Sequence, residues 1–344
     1  MRYRIFGQTG LRVSSIALGT GNFGQGWGYG STREEAQKIY ASYREAGGNF
    51  LDTADQYQFG QSEEMLGDFI ASERDDIVLA TKFSLGDSPN AGLQRTGNSR
   101  KAMIQSVEAS LRRLKTDRID LLWVHMPDGV TPIDEIVRGL DGLVRAGKIL
   151  YAGLSDFPAW RVATAVTLAE VRGWSPVSAV QLEYSLVERT AERELLPMAD
   201  AFHLGTVIWS PLGGGLLTGK YRKGETGRAQ GLGAVIHSES DARKTATVDE
   251  VLAISRETGF PAGQIAIAWV LAKGRLPIIG PRTPEQLTDN LASLAVSLSP
   301  EHLERLDNVS AIPLGFPHDV VAGTASVLAG GKAELTDVAV RAVR

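Results

Sequence analysis

The sequence predicts an α/β fold in which eight parallel strands close into a single (β/α)8 barrel, also called a TIM barrel. Eight short apolar runs alternate with segments of helical periodicity, the order typical of a parallel sheet with crossover helices. The runs are apolar nearly throughout, as expected of strands covered on both faces. No linker rich in Pro, Gly or Ser divides the 344 residues, which favours one barrel over the alternative, a doubly wound open sheet.

The elements follow in order along the chain. The residues before the first apolar run predict a small N-terminal β-hairpin. The predicted strands are residues 14–20, 49–54, 76–83, 118–126, 149–155, 178–185, 205–211 and 276–280. Helical spacing of apolar residues is clear in the segments 33–48, 99–115 and 132–148. We expect Ser31 or Thr32 to cap the first of these helices, Gly47 and Gly48 to end it, and Gly147 to end the third.

Three long segments lack this periodicity: residues 84–98, residues 212–247 and the tail from about 309 to 344. The first two follow the carboxyl ends of predicted strands, and barrel enzymes keep their active sites at that face. Long irregular loops at this position are therefore expected to be functional. We assign no structure to the tail, and we interpret residues 1–344 as one domain.

Composition excludes several classes of function. The chain contains no cysteine, so disulfides, thiolate metal sites and cysteine nucleophiles are ruled out. Its net charge of −4 does not indicate a nucleic-acid surface. The amino end lacks the apolar core of a secretion signal, and no apolar run approaches membrane-spanning length. The histidines lack paired metal-ligand spacing such as HExxH, so no metal is predicted. A cytoplasmic protein without nucleic-acid or membrane partners is expected.

Two glycine-rich segments resemble nucleotide-binding motifs without satisfying them. Residues 19–24 read GTGNFG and follow a predicted strand, but no helix begins within them, as a Rossmann fingerprint requires. Residues 214–221 resemble a P-loop, but Tyr221 stands where Ser or Thr would reach magnesium. We interpret both as loops whose backbone approaches a ligand, with Lys220 near a pyrophosphate.

Four polar residues, Asp52, Tyr57, Lys82 and His125, lie at or just beyond the ends of predicted strands two, three and four. Each alone has an ordinary structural explanation, such as a cap, an ion pair or a satisfied buried imidazole. If the strands are parallel neighbours, however, the four side chains meet in one pocket. A phenol is a weak acid with a pKa of ~10, and a nearby ammonium stabilises its phenolate. The group suits proton donation to a carbonyl oxygen while a cofactor supplies hydride to the carbon.

Six segments occur in the order and register of the aldo-keto reductases, which the chain resembles from about residue 3 to about residue 310. They are NFLDTADQYQFGQSEEMLG, ATKF, IDLLWVHMPD, GLSDF, VQLEYSLVER and WSPLGGGLLTGKY. The resemblance implies a (β/α)8 barrel that binds a nicotinamide cofactor without a Rossmann fold, which accounts for the incomplete glycine fingerprint.

The resemblance also implies roles for individual residues. Asp52, Tyr57, Lys82 and His125 match a catalytic tetrad with Tyr57 as general acid. Ser155 and Gln181 match positions that hold the nicotinamide carboxamide, and Trp209 matches a ring stacked on the nicotinamide. The full set of expected cofactor-binding residues is Gly19, Thr20, Gly21, Ser155, Asp156, Gln181, Trp209, Ser210, Leu212, Gly214, Lys220, Arg282, Gln286 and Asn290.

Two departures from the family pattern bear on the cofactor. Asp156 stands where asparagine is common, and an ionised carboxylate only accepts hydrogen bonds. Gly280, Pro281 and Gln286 replace residues that some members use on the 2′-phosphate of NADP. Arg282 is then the one cation of this segment available for that phosphate, which a guanidinium suits. We therefore predict NADPH/NADP+ over NADH.

The substrate pocket is expected to be aromatic and apolar, lined by Phe23, Trp27, Tyr57, Trp123 and the segment 84–98. Simple core packing is an equal alternative for Trp123. The predicted function is reversible, NADPH-dependent reduction of a small aldehyde or ketone. A cofactor-binding regulatory subunit that acts through partner contacts is the rival hypothesis, and a lyase or isomerase without nicotinamide is a third. The sequence does not predict an oligomeric state.

Overall fold

The computed structural model describes residues 1–225, residues 237–332 and Leu335. Eight parallel strands form a closed barrel, as predicted. In chain order they are β3 (Ala17–Gly19), β4 (Phe50–Asp52), β5 (Val78–Phe83), β6 (Ile119–Val124), β7 (Ile149–Ser155), β8 (Val177–Glu183), β9 (Gly205–Trp209) and β10 (Leu276–Ile279). The α-helices of the described residues span Arg33–Glu45, Gln61–Phe69, Arg100–Arg113, Ile133–Arg145, Ala159–Arg172, Leu195–Ala201, Ala242–Thr258, Ala262–Ala272, Pro284–Ala292, Pro300–Ser310, His318–Gly323 and Ala325–Leu328.

The predicted N-terminal hairpin consists of the antiparallel strands β1 (Tyr3–Ile5) and β2 (Arg12–Ser14). Because this hairpin takes Ser14, the first barrel strand is shorter than the predicted run of residues 14–20. Phe6 follows β1 and packs edge-on against Phe50 inside the barrel, with ring centroids 5.6 Å apart. The hairpin therefore closes the N-terminal end of the barrel and leaves the opposite end for ligands.

Strand register brings the polar residues to one level. Each strand pairs with its neighbour in the chain, and β10 pairs with β3 to close the ring. Asp52 lies opposite Gly19 on one side and Ala80 on the other. Ser155 of β7 lies opposite Gln181 of β8. Asp52 and Ser155 end their strands and Gln181 lies two residues before the end of β8, so their side chains collect at one mouth of the barrel.

The predicted helix signals agree with the structure in detail. Thr32 caps the first helix, accepting a hydrogen bond from the Glu35 amide while the Glu35 side chain accepts one from the Thr32 amide. Ser31 is not the cap; its hydroxyl donates to the Arg282 carbonyl oxygen at 2.8 Å. That bond ties the chain before the first helix to the loop after β10, where a cofactor residue is expected.

Two expectations about irregular segments need correction. Part of the segment 212–247 is helical, because Asp241 accepts a hydrogen bond from the Lys244 amide at 2.9 Å and caps a helix that begins at Ala242. Residues 226–236 of that segment lie outside the described residues. The tail, to which no structure was assigned, contains the helices His318–Gly323 and Ala325–Leu328; residues 333–334 and 336–344 lie outside the described residues.

The core has two layers. One apolar cluster lies between the barrel and its helices, and a smaller one fills the barrel interior beneath the mouth. Trp123 belongs to the interior cluster and is fully buried. Its indole fits because β7 carries Gly153 beside it; a Cβ at that position would lie 2.3 Å from the Trp123 ring. This close approach of β7 to Trp123 fixes the direction of the indole N–H.

Candidate active site

A buried ion pair holds a phenol at the mouth of the barrel. The Lys82 ammonium is fully buried and forms an ion pair with Asp52. It also donates to the Thr53 carbonyl oxygen at 2.9 Å and to the Tyr57 hydroxyl at 3.0 Å. Burial lowers the pKa of Lys82, but the attraction of Asp52 and then Tyr57 outweighs it, so the net pKa is raised. Lys82 therefore stays charged next to the phenol.

The second oxygen of Asp52 is satisfied from across the barrel. It accepts hydrogen bonds from the Trp123 indole N–H at 3.0 Å and from the Gln181 side-chain amide at 2.8 Å. A buried carboxylate with one ammonium and two further donors has the compensation that burial of a charge requires. Trp123 thus supports the site from below. The expectation that it lines the substrate pocket is wrong, because its ring is fully buried in the barrel interior.

His125 faces Tyr57 across the mouth. Their ring centroids are 5.9 Å apart, with an interplanar angle of 83°. Burial, together with the positive charge of Lys82, lowers the pKa of His125 to about 3, so the imidazole is neutral. Its Nδ1 atom is buried without a hydrogen-bond partner in the described part of the protein. Tyr57 and His125 border the same cavity.

A tight turn after β4 sets the position of Tyr57. A 3-10 turn spans Tyr57–Gly60, and inside it Gln58 and Phe59 adopt left-handed φ angles of 53° and 56°. The buried Gln58 side chain donates to the carbonyl oxygens of Gly21 and Tyr29 at 2.9 and 3.0 Å. These bonds draw the glycine-rich loop after β3 against the Tyr57 ring, and a Cβ on Gly21 would lie 3.7 Å from that ring.

The cavity around Tyr57 and His125 has a volume of about 430 Å³. Trp27 forms part of its wall and meets Tyr57 edge-on at 6.1 Å between ring centroids. The segment 84–98 contributes Leu85 to this wall. Phe23 does not line the cavity, contrary to expectation; it is fully buried and packs edge-on against Phe69 in the outer core.

Two wall residues, Gln56 and Met126, were not identified from the sequence. Each is the direct chain neighbour of a tetrad residue, which is the signal that could have found it. Asn98 anchors the loop beside them: it accepts from the Ser84 hydroxyl at 2.6 Å and donates to the Met126 carbonyl oxygen at 2.8 Å. The bonds hold both ends of the loop next to the cavity.

Four of the expected cofactor residues gather on one side of the same cavity: Ser155, Asp156, Gln181 and Trp209. The carboxylate of Asp156 accepts hydrogen bonds from the Ser155 hydroxyl and the Trp209 indole N–H, each at 3.0 Å. Burial raises the pKa of Asp156 to about 6, although these two donors pull it down. Asp156 is therefore mostly ionised at neutral pH.

A second cavity of about 390 Å³ adjoins the first. The two share Asn22, Ser210, Ile278 and Gly280, so they form one continuous groove from the tetrad to Arg282. The expected cofactor residues that line the second cavity are Ser210, Leu212, Gly214, Lys220, Arg282, Gln286 and Asn290. Gly19 and Gly21 border the first cavity. Thr20 borders neither; it is buried, and its amide donates to the Asp52 carbonyl oxygen at 2.9 Å.

The far end of the groove has more cations than carboxylates, because Glu225 and Asp289 lie among three basic side chains. The Arg282 guanidinium lies over the Tyr29 ring, 4.5 Å from its centroid. Lys220 and Lys223 line the same cavity as Arg282. Burial, and then the proximity of Arg282, lowers the pKa of Lys220. Arg282 is the one cation of its sequence segment, but in space it has lysine neighbours from the loop after β9: Lys220, which was expected to bind the cofactor, and Lys223, which was not identified from the sequence.

The part of the chain that the structure describes contains no cluster of His, Asp and Glu side chains able to hold a metal ion. In the same residues, no helix combines the length and apolarity needed to cross a membrane. Cations and glycine-rich backbone line one end of the groove, and amide, hydroxyl and aromatic groups lie beside the tetrad at the other. The groove therefore suits an organic ligand that is anionic at one end and aromatic at the other.

A closed parallel barrel with a lysine–aspartate pair beneath a phenol and an imidazole defines a class of oxidoreductase. Residues 15–311 match the family model described as "Aldo/keto reductase family". A putative aryl-alcohol dehydrogenase of Saccharomyces cerevisiae is 35% identical over 344 residues, covering 95% of this chain and 91% of the yeast protein. A norsolorinic acid reductase of Aspergillus flavus is 37% identical, covering 90% of this chain and 80% of the fungal protein.

An uncharacterized oxidoreductase of Bacillus subtilis is 38% identical, covering 92% of this chain and 98% of the bacterial protein. Similarity of this extent, together with a family match across most of the chain, shows that these proteins are homologous. The chain belongs to the aldo/keto reductase family and is an oxidoreductase, as the sequence resemblance predicted.

Proposed function

We propose that this protein catalyses the reversible, NADPH-dependent reduction of an aldehyde or ketone, with Tyr57 as the proton donor. The observation that carries the proposal is the 3.0 Å contact between the Tyr57 hydroxyl and the buried Lys82 ammonium at the wall of an open cavity. That cavity continues into a groove that ends at three cationic side chains. A phenol beside an ammonium can donate a proton to a carbonyl oxygen, and the cations of the groove can attract the phosphates of a nicotinamide cofactor.

Each residue of the tetrad has a defined task. When bound, the nicotinamide supplies hydride to the carbonyl carbon. Tyr57 donates its proton to the carbonyl oxygen, and the Lys82 ammonium stabilises the phenolate that remains. Asp52 keeps Lys82 charged and directed at the phenol. The neutral imidazole of His125 hydrogen-bonds the carbonyl oxygen and orients it toward Tyr57. In the reverse direction Tyr57 takes the alcohol proton.

The groove residues fit this cofactor. Ser155, Gln181 and Trp209 would hold the nicotinamide end, and Ser210 and Gly214 would follow the pyrophosphate. At the far end Arg282, together with Lys220 and Lys223, would bind the 2′-phosphate. A guanidinium stacked on a ring can engage a phosphate with two parallel hydrogen bonds. This cationic end supports NADP(H) over NAD(H).

The cavity wall supports an apolar, uncharged carbonyl substrate. Trp27, Leu85 and Met126 present an indole, an aliphatic chain and a thioether to the space beside Tyr57. Apolar surface of this kind stabilises an aromatic or aliphatic ligand by removing it from water. The yeast relative named as an aryl-alcohol dehydrogenase supports the same substrate class. The rival hypothesis of a regulatory subunit gains no support from relatives whose names describe reductases and dehydrogenases.

Tyr57→Phe tests the proposal. Wild-type protein is expected to oxidise NADPH in the presence of an aryl aldehyde. The loss of NADPH absorbance measures this reaction. Removing the phenolic proton should lower the turnover number by roughly 10²-fold or more, the size of the contribution that a general acid typically makes. The dissociation constant for NADP+ should change by less than about three-fold, because Tyr57 contributes no charge to the groove. A Phe variant with the wild-type rate would remove Tyr57 as the acid.

A further inference from the structure

A separate cavity lies at the N-terminal end of the barrel, on the face opposite the tetrad. Its volume is about 370 Å³, within the range of roughly 300–1,000 Å³ that is typical of small-molecule sites. The N-terminal hairpin, the turn before β9 and the turn before β10 form its wall, together with Phe6, which closes this end of the barrel. None of the described residues that line it also lines the groove.

Two guanidinium groups border this cavity from different elements. Arg275 directly precedes β10 and donates to both carboxylate oxygens of Asp200, at 2.6 and 2.8 Å. Arg4 belongs to β1 and donates to the Gly274 carbonyl oxygen at 2.6 Å, and it forms no ion pair with an acidic side chain among the described residues. A guanidinium carries five N–H groups. Arg4 uses one of them and Arg275 uses two, so both keep donors for a ligand.

The charges around this cavity are not balanced. Asp200 is the one carboxylate among the described lining residues, against the two cations Arg4 and Arg275. The side chain of Asp200 is 60% exposed, and water weakens the attraction of an exposed ion pair. Burial, and then repulsion from Arg275, lowers the pKa of Arg4. The same two causes lower the pKa of Lys220 beside Arg282 in the groove. An anion bound between the two guanidiniums would relieve this repulsion.

The rest of the wall leaves the two guanidiniums accessible. Three glycines, Gly7, Gly205 and Gly274, line the cavity, so backbone rather than bulky side chains forms much of its surface. A Cβ on Gly7 would lie 2.5 Å from the Gly205 amide nitrogen, so a larger residue there would push the hairpin away from β9. The His203 imidazole and the Thr206 hydroxyl add further polar groups to the same wall.

We propose that this cavity binds the phosphate group of a small molecule between Arg4 and Arg275. A guanidinium engages phosphate oxygens with two parallel hydrogen bonds, and a phosphate has enough oxygens for two guanidiniums at once. The bound anion would join the N-terminal hairpin to the start of β10 and so stabilise the folded protein. This site shares no residue with the groove, so the inference does not depend on the proposed function.

The experiment follows thermal unfolding of the full-length protein at increasing concentrations of inorganic phosphate, with ionic strength held constant by chloride. A ligand that binds only the folded state raises the melting temperature, and the rise gives an apparent dissociation constant. In Arg4→Met this constant should increase at least about ten-fold, as expected for the loss of charge-assisted hydrogen bonds. Arg4→Lys keeps the charge but loses the planar fork, so its constant should increase about three-fold.

Arg2→Met is the matched control. It removes the same charge from an exposed arginine two residues away, which does not line the cavity, and it should keep the wild-type constant. Phosphate bound in the groove contributes equally to all these proteins, because none of the changes touches the groove. The inference is overturned if phosphate stabilises wild-type protein no more than chloride does, or if Arg4→Met and Arg2→Met respond alike. Should Arg4→Met fail to fold, an unchanged constant in Arg4→Lys overturns it.

Discussion

The two ends of the groove differ in how deeply their charged side chains are buried and in how rigidly they are held. At the tetrad end, Lys82 is 0% exposed and Asp52 is 1% exposed, and both project from barrel strands. At the other end, Arg282 and Lys220 come from loops after β10 and β9 and remain partly exposed. The first end needs a charge held in one geometry with water excluded, which only the rigid barrel supplies. The second needs attraction for a phosphate, which a few adaptable cations provide.

This contrast predicts that the largest effect follows a change at the buried end. Lys82→Met leaves the Asp52 carboxylate buried without its ammonium, which should lower the free energy of unfolding by about 3 kcal/mol and abolish turnover. Urea unfolding and NADPH oxidation measure the two effects.

The double variant Asp52→Asn/Lys82→Met is the control for that experiment, because it removes both charges. It should recover much of the stability while turnover stays absent. A single Lys82→Met variant as stable as wild-type protein would show that the pair is not tightly coupled, and the contrast between the two ends would fail.

A change at the loop end should have a smaller effect, confined to binding. Arg282→Ala removes the guanidinium stacked on Tyr29. We expect the dissociation constant for NADP+ to rise about ten-fold, as for loss of a charge-assisted hydrogen bond, and that for NAD+ to change little. Unfolding should be nearly unaffected. Arg145→Ala, a change of the same charge at a largely exposed arginine, is the matched control. Equal losses for both cofactors would contradict the 2′-phosphate assignment.

Much of the fold followed from local patterns. Some features are properties of short segments: the strand and helix periods, the Thr32 cap and the residue types at strand ends. They can therefore be predicted without knowing how the barrel closes. The pocket wall was harder. Phe23 and Trp123 are aromatic and lie next to site residues in sequence, yet both are buried away from the cavity. Adjacency in sequence does not reveal on which side of a strand or loop a ring packs.

The sequence by itself determined that eight strands alternate with helices and that an acid, an amine, a phenol and an imidazole follow three of them. Only the closed barrel decided how these groups are supported. Trp123 and Gln181 reach Asp52 across separations of 71 and 129 residues, and Lys220 meets Arg282 from a different loop. Such contacts depend on strand register and closure, which bring together residues that no local pattern connects.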